Sequence, residues 1–327
     1  MKASVIIYTY DRRAYIRKAL ESVINQSVPR ESFEVIVVKG FSDPDLDRYI
    51  DSAADRNLVV DEVGHGLKIS AGIRASSGDV IFILDDDDEF ESGRMKEVLA
   101  IFSDDPEVNF VHNSIHRIDD DGKESAQDRE KAPGKIMTVF PGSMTRKELS
   151  ALIRYRASWY SSCMAFRRKV LEDNLELLEQ VTQSIDPAMF LMALRSGGKI
   201  VLIPERLTRY RVHSSTTNYR LPLKEFLERK EKFYRNSSET FSKVAMKDLS
   251  IRYILDMRDQ MDFLAILHSG RIGRGELIRA TLRYCRTFRS VLNRYQVLWL
   301  AFGLVRMLSS GLAVKFYYET YLRSLRL

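Results

Sequence analysis

Short apolar runs alternate with segments of helical periodicity along the first 90 residues of the chain. The pattern predicts strands at 4–8, 33–38, 57–63 and 79–84, and helices at 16–24 and 66–77. Such alternation is typical of β-α-β units, whose strands run parallel in one sheet. Ligands of these sheets bind at the carboxyl ends of the strands, so candidate chemistry is expected there.

The remainder of the chain has a weaker strand pattern and then a long helical one. The predicted elements of the middle are strands at 108–112, 161–166 and 199–204, a turn at 119–123, a loop over 123–145 and a helix over 167–179. After Pro222 the periodicity is helical almost to the end. We therefore expect an α/β domain over 1–218 and an all-α region over 219–327.

Composition and cysteine content narrow the class of protein. With 45% hydrophobic and 29% charged residues, the chain has the composition of an ordinary soluble globular protein. Two distant cysteines, Cys163 and Cys285, exclude a zinc cluster and a disulfide scaffold, which favours a reducing compartment. Met1 leads almost directly into the first predicted strand, which is not the pattern of a signal peptide. We expect a cytoplasmic protein.

The net charge of +6 is divided unevenly between the two regions. Residues 219–327 hold 21 lysines and arginines against 10 acidic residues, whereas residues 1–218 have an acidic excess of five. A basic region of this kind is typical of contact with an anionic partner, either a membrane surface or nucleic acid. A solvated basic helical face is the alternative.

Five consecutive acidic residues, Asp85 to Glu89, directly follow the strand predicted at 79–84. Carboxylates this close repel one another and destabilise the fold unless a positive group lies among them. Mg²⁺ and Mn²⁺ prefer carboxylate oxygens and often combine them with substrate phosphates. At the end of a buried parallel strand, the run favours a divalent-cation site over a merely solvated acidic loop.

The ordered set of motifs resembles family 2 glycosyltransferases over about residues 4–218. Residues 4–11, S-V-I-I-Y-T-Y-D, are similar to the family's opening strand S-V-I-I-P-T-Y-N, and 19–27 resembles its first helix. Residues 72–79 and the acidic run resemble its G-I-x-x-A-x-G-(D/E) segment and Asp-x-Asp loop. The resemblance implies a GT-A fold, a Rossmann-like and mostly parallel sheet flanked by helices. It implies a nucleotide-sugar half at about 1–112 and an acceptor half at about 113–218.

The same resemblance implies how a nucleotide-diphosphate sugar is held. Asp85 and Asp87 form the motif pair, and the implied metal ligands are Asp87, Asp88 and His213. The implied nucleotide-sugar contacts are Thr9, Tyr10, Asp11, Lys39, Lys68, Asp85, Asp86 and Arg211. A Mg²⁺ or Mn²⁺ ion there would stabilise the negative charge that develops on the leaving diphosphate.

Two positions depart from the family pattern. Lys39 replaces the carboxylate that usually binds the nucleobase. Because a lysine can only donate hydrogen bonds, this departure argues against UDP as the nucleotide of the donor. Lys39 could instead pair with the acidic loop or meet a base carbonyl. The family's A-R-N before Gly72 is missing, and Lys68 could supply its charge.

The segment S-I-D-P-A-M-F-L (184–191) resembles the family's E-D-x-x-L-x-x-R segment. The residue pattern alone predicts a helix start, with Asp186 as N-cap and Pro187 at the first helical position. The resemblance implies that Asp186 is the general base for the acceptor hydroxyl in an inverting displacement, with no strongly raised pKa required. Asp11 is similarly predicted to cap the first helix.

The segment Y-R-V-H (210–213) resembles the family's Y-R-x-H. Arg211 could therefore donate two hydrogen bonds to a phosphate, and His213 could bind the metal or the diphosphate. A purely structural histidine is the alternative. In the basic region, aromatic residues interleave with arginines, which suits a membrane headgroup interface. Similar tails occur on membrane-directed family members, which implies a lipid-linked or glycan acceptor.

The sequence therefore predicts an inverting, metal-dependent glycosyltransferase acting at the inner face of the cell membrane. Nothing resembles a base-reading motif, so no nucleic-acid partner is expected. A nucleotidyltransferase is one alternative, although no basic glycine-rich loop follows Tyr8. A non-catalytic nucleotide-sugar-binding protein of the same fold is another alternative. It is favoured by Lys39, by the missing A-R-N, and by Ile185, which stands where the family's E-D-x-x-L-x-x-R segment has Glu.

Overall fold

The computed structural model describes residues 1–9, 11–125, 131–212, 221–247, 252–269, 273–288 and 294–324. The chain divides into two compact units, Met1–His213 and Ser214–Leu327. The first unit holds the sheet and the acidic run, and the second holds the helices that follow residue 221.

The first unit is built on one mixed sheet of nine strands. The strands are β1 Ala3–Thr9, β2 Phe33–Lys39, β3 Arg56–Val59, β4 Val80–Asp85, β5 Glu89–Phe90, β6 Val108–Ile118, β7 Met137–Val139, β8 Met164–Arg167 and β9 Lys199–Arg211. Their order is β3-β2-β1-β4-β8-β6-β9-β5, with β7 paired to β9. The first four strands pair in parallel, and β8 is antiparallel to both of its neighbours. The α/β class predicted from the sequence is confirmed.

Helices flank this sheet and supply the rest of its core. They are α1 Ile16–Ile24, α2 Pro44–Ala53, α3 His65–Arg74, α4 Arg94–Asp104, α5 Arg146–Arg154, α6 Arg168–Glu172, α7 Leu175–Glu179 and α8 Ile185–Arg195. All seven residues of β1 are buried, as a strand between two parallel neighbours requires. In α1 the apolar residues at helical spacing, from Ile16 to Val23, form the buried face.

The strand register brings the candidate residues to one edge of the sheet. Thr9, at the end of β1, pairs with Lys39 at the end of β2. On the other side of β1, Tyr8 pairs with Asp85 at the end of β4. Since these strands are parallel, their carboxyl ends meet, and the acidic run begins where they do.

Several element predictions differ in extent from the structure. The strand predicted at 199–204 continues to Arg211, because β9 pairs with the whole of β6, beyond the apolar run that ends at Pro204. The predicted loop 123–145 contains β7, which is too short to show an alternating pattern. The helix predicted over 167–179 is two short helices, α6 and α7, separated at Asp173 and Asn174.

The second unit is helical over its described residues. Its helices are α9 Leu223–Lys247, α10 Arg252–His268, α11 Arg274–Thr287, α12 Arg294–Leu308 and α13 Ser310–Ser324. They enclose a separate apolar cluster, in which the rings of Phe263 and Tyr284 stack with 4.2 Å between their centroids. Among the helices described, none has both the length and the apolarity needed to cross a membrane.

Candidate active site

The acidic run forms a buried loop at the end of β4. Asp85 is the last residue of the strand, and Asp86, Asp87 and Asp88 form the turn that leads into β5. These three turn residues are each at most 6% exposed. One oxygen each from Asp85, Asp87 and Asp88 lies within 4.8 Å of the others, close enough for a shared cation. The structure thus adds Asp85 to the predicted metal ligands Asp87 and Asp88.

Arg12 supplies positive charge to this loop. Its guanidinium donates to Asp86 at 2.5 Å and also bonds Asp87, and its side chain remains 35% exposed. Thr9 donates its hydroxyl proton to Asp86 from the end of β1. Thr9 is among the residues predicted from the sequence, whereas Arg12 is not, although it directly follows the segment 9–11 predicted to line the nucleotide.

Arg211 holds the loop from the other side. Its backbone N–H donates to Asp88 at 2.8 Å, and its Nε donates to the carbonyl of Asp87 at 2.8 Å. Nη1 donates to the carbonyls of Asp119 and Asp120, and Nη2 pairs with Glu89. Each side-chain nitrogen of Arg211 therefore already donates within the protein, and the residue is buried, so it supports the loop instead of facing open space for a phosphate.

Asp186 lies close to the acidic loop, and Ser161 connects them. The Ser161 hydroxyl donates to Asp85 at 2.8 Å, and Ser161 also hydrogen-bonds Asp186. The backbone N–H of Tyr160 donates to Asp186 at 3.1 Å. The predicted N-cap role of Asp186 is wrong, because α8 begins at Ile185 with Ser184 as N-cap, in a left-handed conformation. Asp186 occupies the first turn and is partly exposed.

Burial disfavours the charged form of several carboxyl groups in this cluster. It raises the pKa of Asp85, and the nearby charges of Asp186 and Asp87 raise it further. Burial also raises the pKa of Asp88 and of Asp186, the latter against hydrogen bonds that favour its charged form. The pKa of Asp186 is therefore raised to about 6, a shift that the predicted role as base did not require.

The donor set fits a divalent cation. Asp88 Oδ2 is buried and has no hydrogen-bond partner among the described residues, which leaves a lone pair available to a metal. Asp86 differs, because burial raises its pKa to about 6 while Arg12 and Thr9 already bind it. The oxygens of Asp85, Asp87 and Asp88 are the hard ligands that Mg²⁺ and Mn²⁺ prefer.

The ammonium groups of Lys39 and Lys68 bind partners outside the acidic loop. The buried Lys39 ammonium pairs with Asp47 on α2 at 2.8 Å, so the suggested pairing with the acidic loop does not occur. Burial would raise the pKa of Asp47, but the hydrogen bond from Lys39 and others lower it to about 2. Lys68 on α3 is buried, and its ammonium donates to the carbonyl of Glu62 at 2.9 Å.

The remaining predicted site residues are only partly described. Tyr10 and His213 lie outside the described residues. Asp11 is exposed. Its predicted capping role is wrong, because α1 begins at Ile16 and its N-cap is Tyr15. The structure thus brings together Thr9, the acidic loop, Arg211 and Asp186. Lys39 lies beside Thr9 at the same edge of the sheet, but its ammonium and that of Lys68 bind groups outside the acidic loop.

A sequence family matches the part of the chain that carries this site. Residues 4–175, just over half of the chain, match the family described as Glycosyl transferase family 2. The chain belongs to this family. Membership confirms the resemblance seen in the motifs and the prediction of a glycosyltransferase at the level of the family.

Individual relatives in this family are distant. An uncharacterized glycosyltransferase of Nostoc sp. is 24% identical over 228 residues, covering 67% of each chain. One of Rickettsia bellii is 35% identical over 126 residues, 37% of this chain and 18% of that protein. The poly(ribitol-phosphate) beta-N-acetylglucosaminyltransferase TarS of Staphylococcus aureus is 23% identical over 217 residues, which cover 64% of this chain and 35% of TarS. The aligned part thus spans about a third of the length of TarS.

Solved structures confirm the GT-A-like fold. The S. aureus TarS fragment 1–349 with UDP has a TM-score of 0.63 at 16% identity, covering 100% of this chain and 91% of the fragment. A mannosyltransferase of Pyrobaculum calidifontis, solved with GDP-Man and Mn²⁺, has a TM-score of 0.54 at 14% identity, and the match covers 99% of this chain and 86% of that enzyme. At these identities the likeness concerns the fold.

Proposed function

We propose that the chain is an inverting, metal-assisted glycosyltransferase that moves a sugar from a nucleotide-diphosphate sugar to a lipid-linked or glycan acceptor. The observation that carries this proposal is the contact of Ser161 with both Asp85 and Asp186. It joins a cluster suited to a cation and a carboxylate suited to proton abstraction within one site. We further propose 1–218 as the transferase domain, with its nucleotide-sugar half at about 1–112.

The donor is proposed to be a nucleotide sugar held by a cation. Support comes from the S. aureus TarS fragment, solved with UDP and with UDP-GlcNAc, and from the Pyrobaculum enzyme, solved with GDP-Man and Mn²⁺. Asp87 and Asp88, with Asp85, would hold Mg²⁺ or Mn²⁺. The ion would supply electrostatic stabilisation of the leaving nucleoside diphosphate.

Asp186 is proposed as the single general base. Its carboxylate accepts a hydrogen bond from the Tyr160 backbone, which orients one oxygen, and its partial exposure leaves it open to an acceptor hydroxyl. A raised pKa makes this carboxylate a better proton acceptor at neutral pH than an ordinary aspartate. Removal of the hydroxyl proton permits one displacement at the sugar carbon, which inverts its configuration.

The second unit is proposed to contact the inner face of the membrane. Several large apolar side chains of α12 and α13 are about half-exposed or more: Val297, Leu298, Leu304, Val305, Leu308, Leu312 and Phe316. Exposed apolar surface of this extent, in a region with an excess of 11 basic charges, suits an interface with anionic lipid.

A thermal-shift panel tests the donor and the cation together. UDP-, GDP- and TDP-sugars are added to the full chain with and without Mn²⁺, and the unfolding temperature is recorded. We expect at least one nucleotide sugar to stabilise the protein with Mn²⁺ and much less without it. Asp88→Asn should abolish the metal-dependent part. If no donor gives a metal-dependent shift, the proposed function is wrong.

A further inference from the structure

A groove of about 420 Å³ lies in the first unit, away from the acidic loop. One wall is the segment 133–137, which leads into β7, and the other is α5 with the following Tyr155. A volume of this size accommodates a small ligand or one unit of a longer one. None of the residues assigned above to donor, cation or base lines this groove.

Three cationic side chains line the groove. On α5, Lys147 and Arg154 stand seven residues apart, with Ser150 and Ala151 between them at three and four residues from Lys147. Positions at this spacing share one helix face, so both cations point to the same side. Lys135 contributes a third positive charge from the opposite wall.

Within the described part of the chain, no carboxylate forms an ion pair with these cations. Among the described residues, Lys135, Lys147 and Arg154 form no ion pair, and all three are exposed. The nearest carboxylate on the helix, Glu148, is engaged in a capping box with Thr145, whose N–H donates to it at 2.7 Å. The groove therefore presents three positive charges to whatever enters it.

A chain of contacts connects the groove with the candidate base. A narrow cavity of about 10 Å³ is lined by Tyr155, which also lines the groove, and by Tyr160. Tyr160 is held in a left-handed conformation, and Arg156 donates to its hydroxyl at 2.5 Å. Its backbone N–H binds Asp186. Through the cavity that Tyr155 and Tyr160 both line, the groove is therefore linked to the residue that binds Asp186.

We propose that this groove binds a phosphate group of the acceptor, through Lys135, Lys147 and Arg154. Arginine can fork onto two phosphate oxygens, and lysine adds a point charge, so the three residues suit a phosphodiester or a diphosphate. The inference rests on the proposed function, because it assigns the groove to the acceptor of that reaction. The phosphate can come from two sources, a phosphodiester-linked glycan or a lipid-linked diphosphate.

Calorimetric titration of the full chain tests the proposal and separates the two sources. The probes are a glycerol-phosphate oligomer, farnesyl diphosphate in neutral detergent micelles, and maltotriose as an uncharged oligosaccharide. Excess nucleotide sugar and Mn²⁺ occupy the donor site throughout, so that a phosphate probe cannot bind there. The variant is K147Q/R154Q, and the control is Arg146→Gln, a neighbouring exposed arginine of α5 that does not line the groove.

We expect at least one phosphate probe to bind the wild-type chain and to bind K147Q/R154Q at least tenfold more weakly. Arg146→Gln should bind within twofold of the wild type, and binding should weaken as salt is raised. Loss confined to the oligomer indicates a phosphodiester acceptor, and loss confined to farnesyl diphosphate indicates a lipid diphosphate.

Two results would overturn the groove assignment: no phosphate probe binds the wild type, or K147Q/R154Q binds every probe as the wild type does. An equal loss of maltotriose binding would also count against a phosphate site. Both variants should keep the donor-induced shift in unfolding temperature. Absence of that shift in the wild type would overturn the proposed function instead, so the two failures are distinguishable.

Discussion

Arg12 forms ion pairs with the acidic loop. The guanidinium binds Asp86 and Asp87, while Asp88 keeps a buried oxygen without a partner among the described residues. Burial of these carboxylates costs free energy, and the arginine offsets part of the repulsion between them. A cation bound at the loop would share Asp87 with Arg12, so the two positive groups should be energetically coupled.

Arg12→Gln tests this coupling. Without metal, the variant should unfold roughly 2–4 °C below the wild type, corresponding to about 1 kcal/mol for a partly exposed ion pair. Mn²⁺ should stabilise the variant more than the wild type, because the cation then replaces the missing charge. Unfolding temperatures with and without Mn²⁺ give both quantities.

Arg13→Gln is the matched control for this measurement. Arg13 is exposed and pairs with Asp43 at 3.2 Å, outside the acidic loop. Its replacement should leave the Mn²⁺-induced shift unchanged. An identical Mn²⁺ shift in Arg12→Gln and the wild type would mean that Arg12 does not compensate the loop.

Secondary-structure elements show which parts of the fold the sequence could predict. The buried strands β1, β2 and β4 were predicted because continuous apolar runs are a strong local signal. The extension of β9 was not, because its polar residues pair with β6 only through tertiary contacts. The caps of α1 and α8 were misplaced for a similar reason, since backbone conformation at Tyr15 and Ser184 has little signature in residue type.

In the candidate site too, some residues were predictable from local sequence and others depend on tertiary contacts. A run of acidic residues after a buried strand signals a cation site from local sequence alone, and Asp186 was found through its motif. The role of Arg211 as a support of the loop depends on β9 passing beside Asp87 and Asp88. The ion pair of Lys39 with Asp47 likewise depends on how α2 packs, so residue type alone could not reveal it.

The packing of α3 against α7 gives a prediction at this scale. A Cβ at Gly66 would lie 1.8 Å from the carbonyl oxygen of Leu178 and 2.8 Å from that of Val181. Gly66→Ala must therefore separate the two helices, at a cost of roughly 1–3 kcal/mol in the free energy of unfolding. Chemical denaturation measures this change.

Gly142→Ala provides the control for that substitution. A Cβ at Gly142 meets nothing within 4 Å, and the residue is exposed, so its replacement should change the free energy of unfolding by less than about 0.5 kcal/mol. Equal stability of the two variants would show that α3 and α7 are not packed as described.

At the scale of the whole molecule, the two units differ in charge and in surface. The net charge of +6 combines an acidic excess in residues 1–218 with a basic excess in residues 219–327. Five of the acidic residues in 1–218, Asp85 to Glu89, form the run at the proposed cation site. The basic part accompanies exposed apolar side chains on α12 and α13, which is the basis for the proposed membrane contact.

Leu312→Ser combined with Phe316→Ser tests that contact. The two side chains are 70% and 74% exposed on α13, four residues apart, so their replacement should leave folding intact. The wild type should sediment with anionic vesicles and less with neutral ones, and the double variant should lose most of this binding.

Val63→Ser is an exposed apolar control in the first unit, where the side chain is 69% exposed. Its vesicle binding should equal that of the wild type. Equal binding by the α13 double variant would argue that these helices do not touch lipid.

In the proposed reaction, Asp186 takes the acceptor proton in a sugar transfer at the acidic loop. Transfer of labelled sugar from the donor identified by thermal shift into a membrane acceptor fraction measures it directly. Asp186→Asn should lower the rate by about 10²–10⁴-fold with the donor-induced shift intact, because asparagine keeps the shape but cannot accept the proton. Asp173→Asn, an exposed control, should transfer at the wild-type rate. Near wild-type transfer by Asp186→Asn would show that Asp186 is not the base.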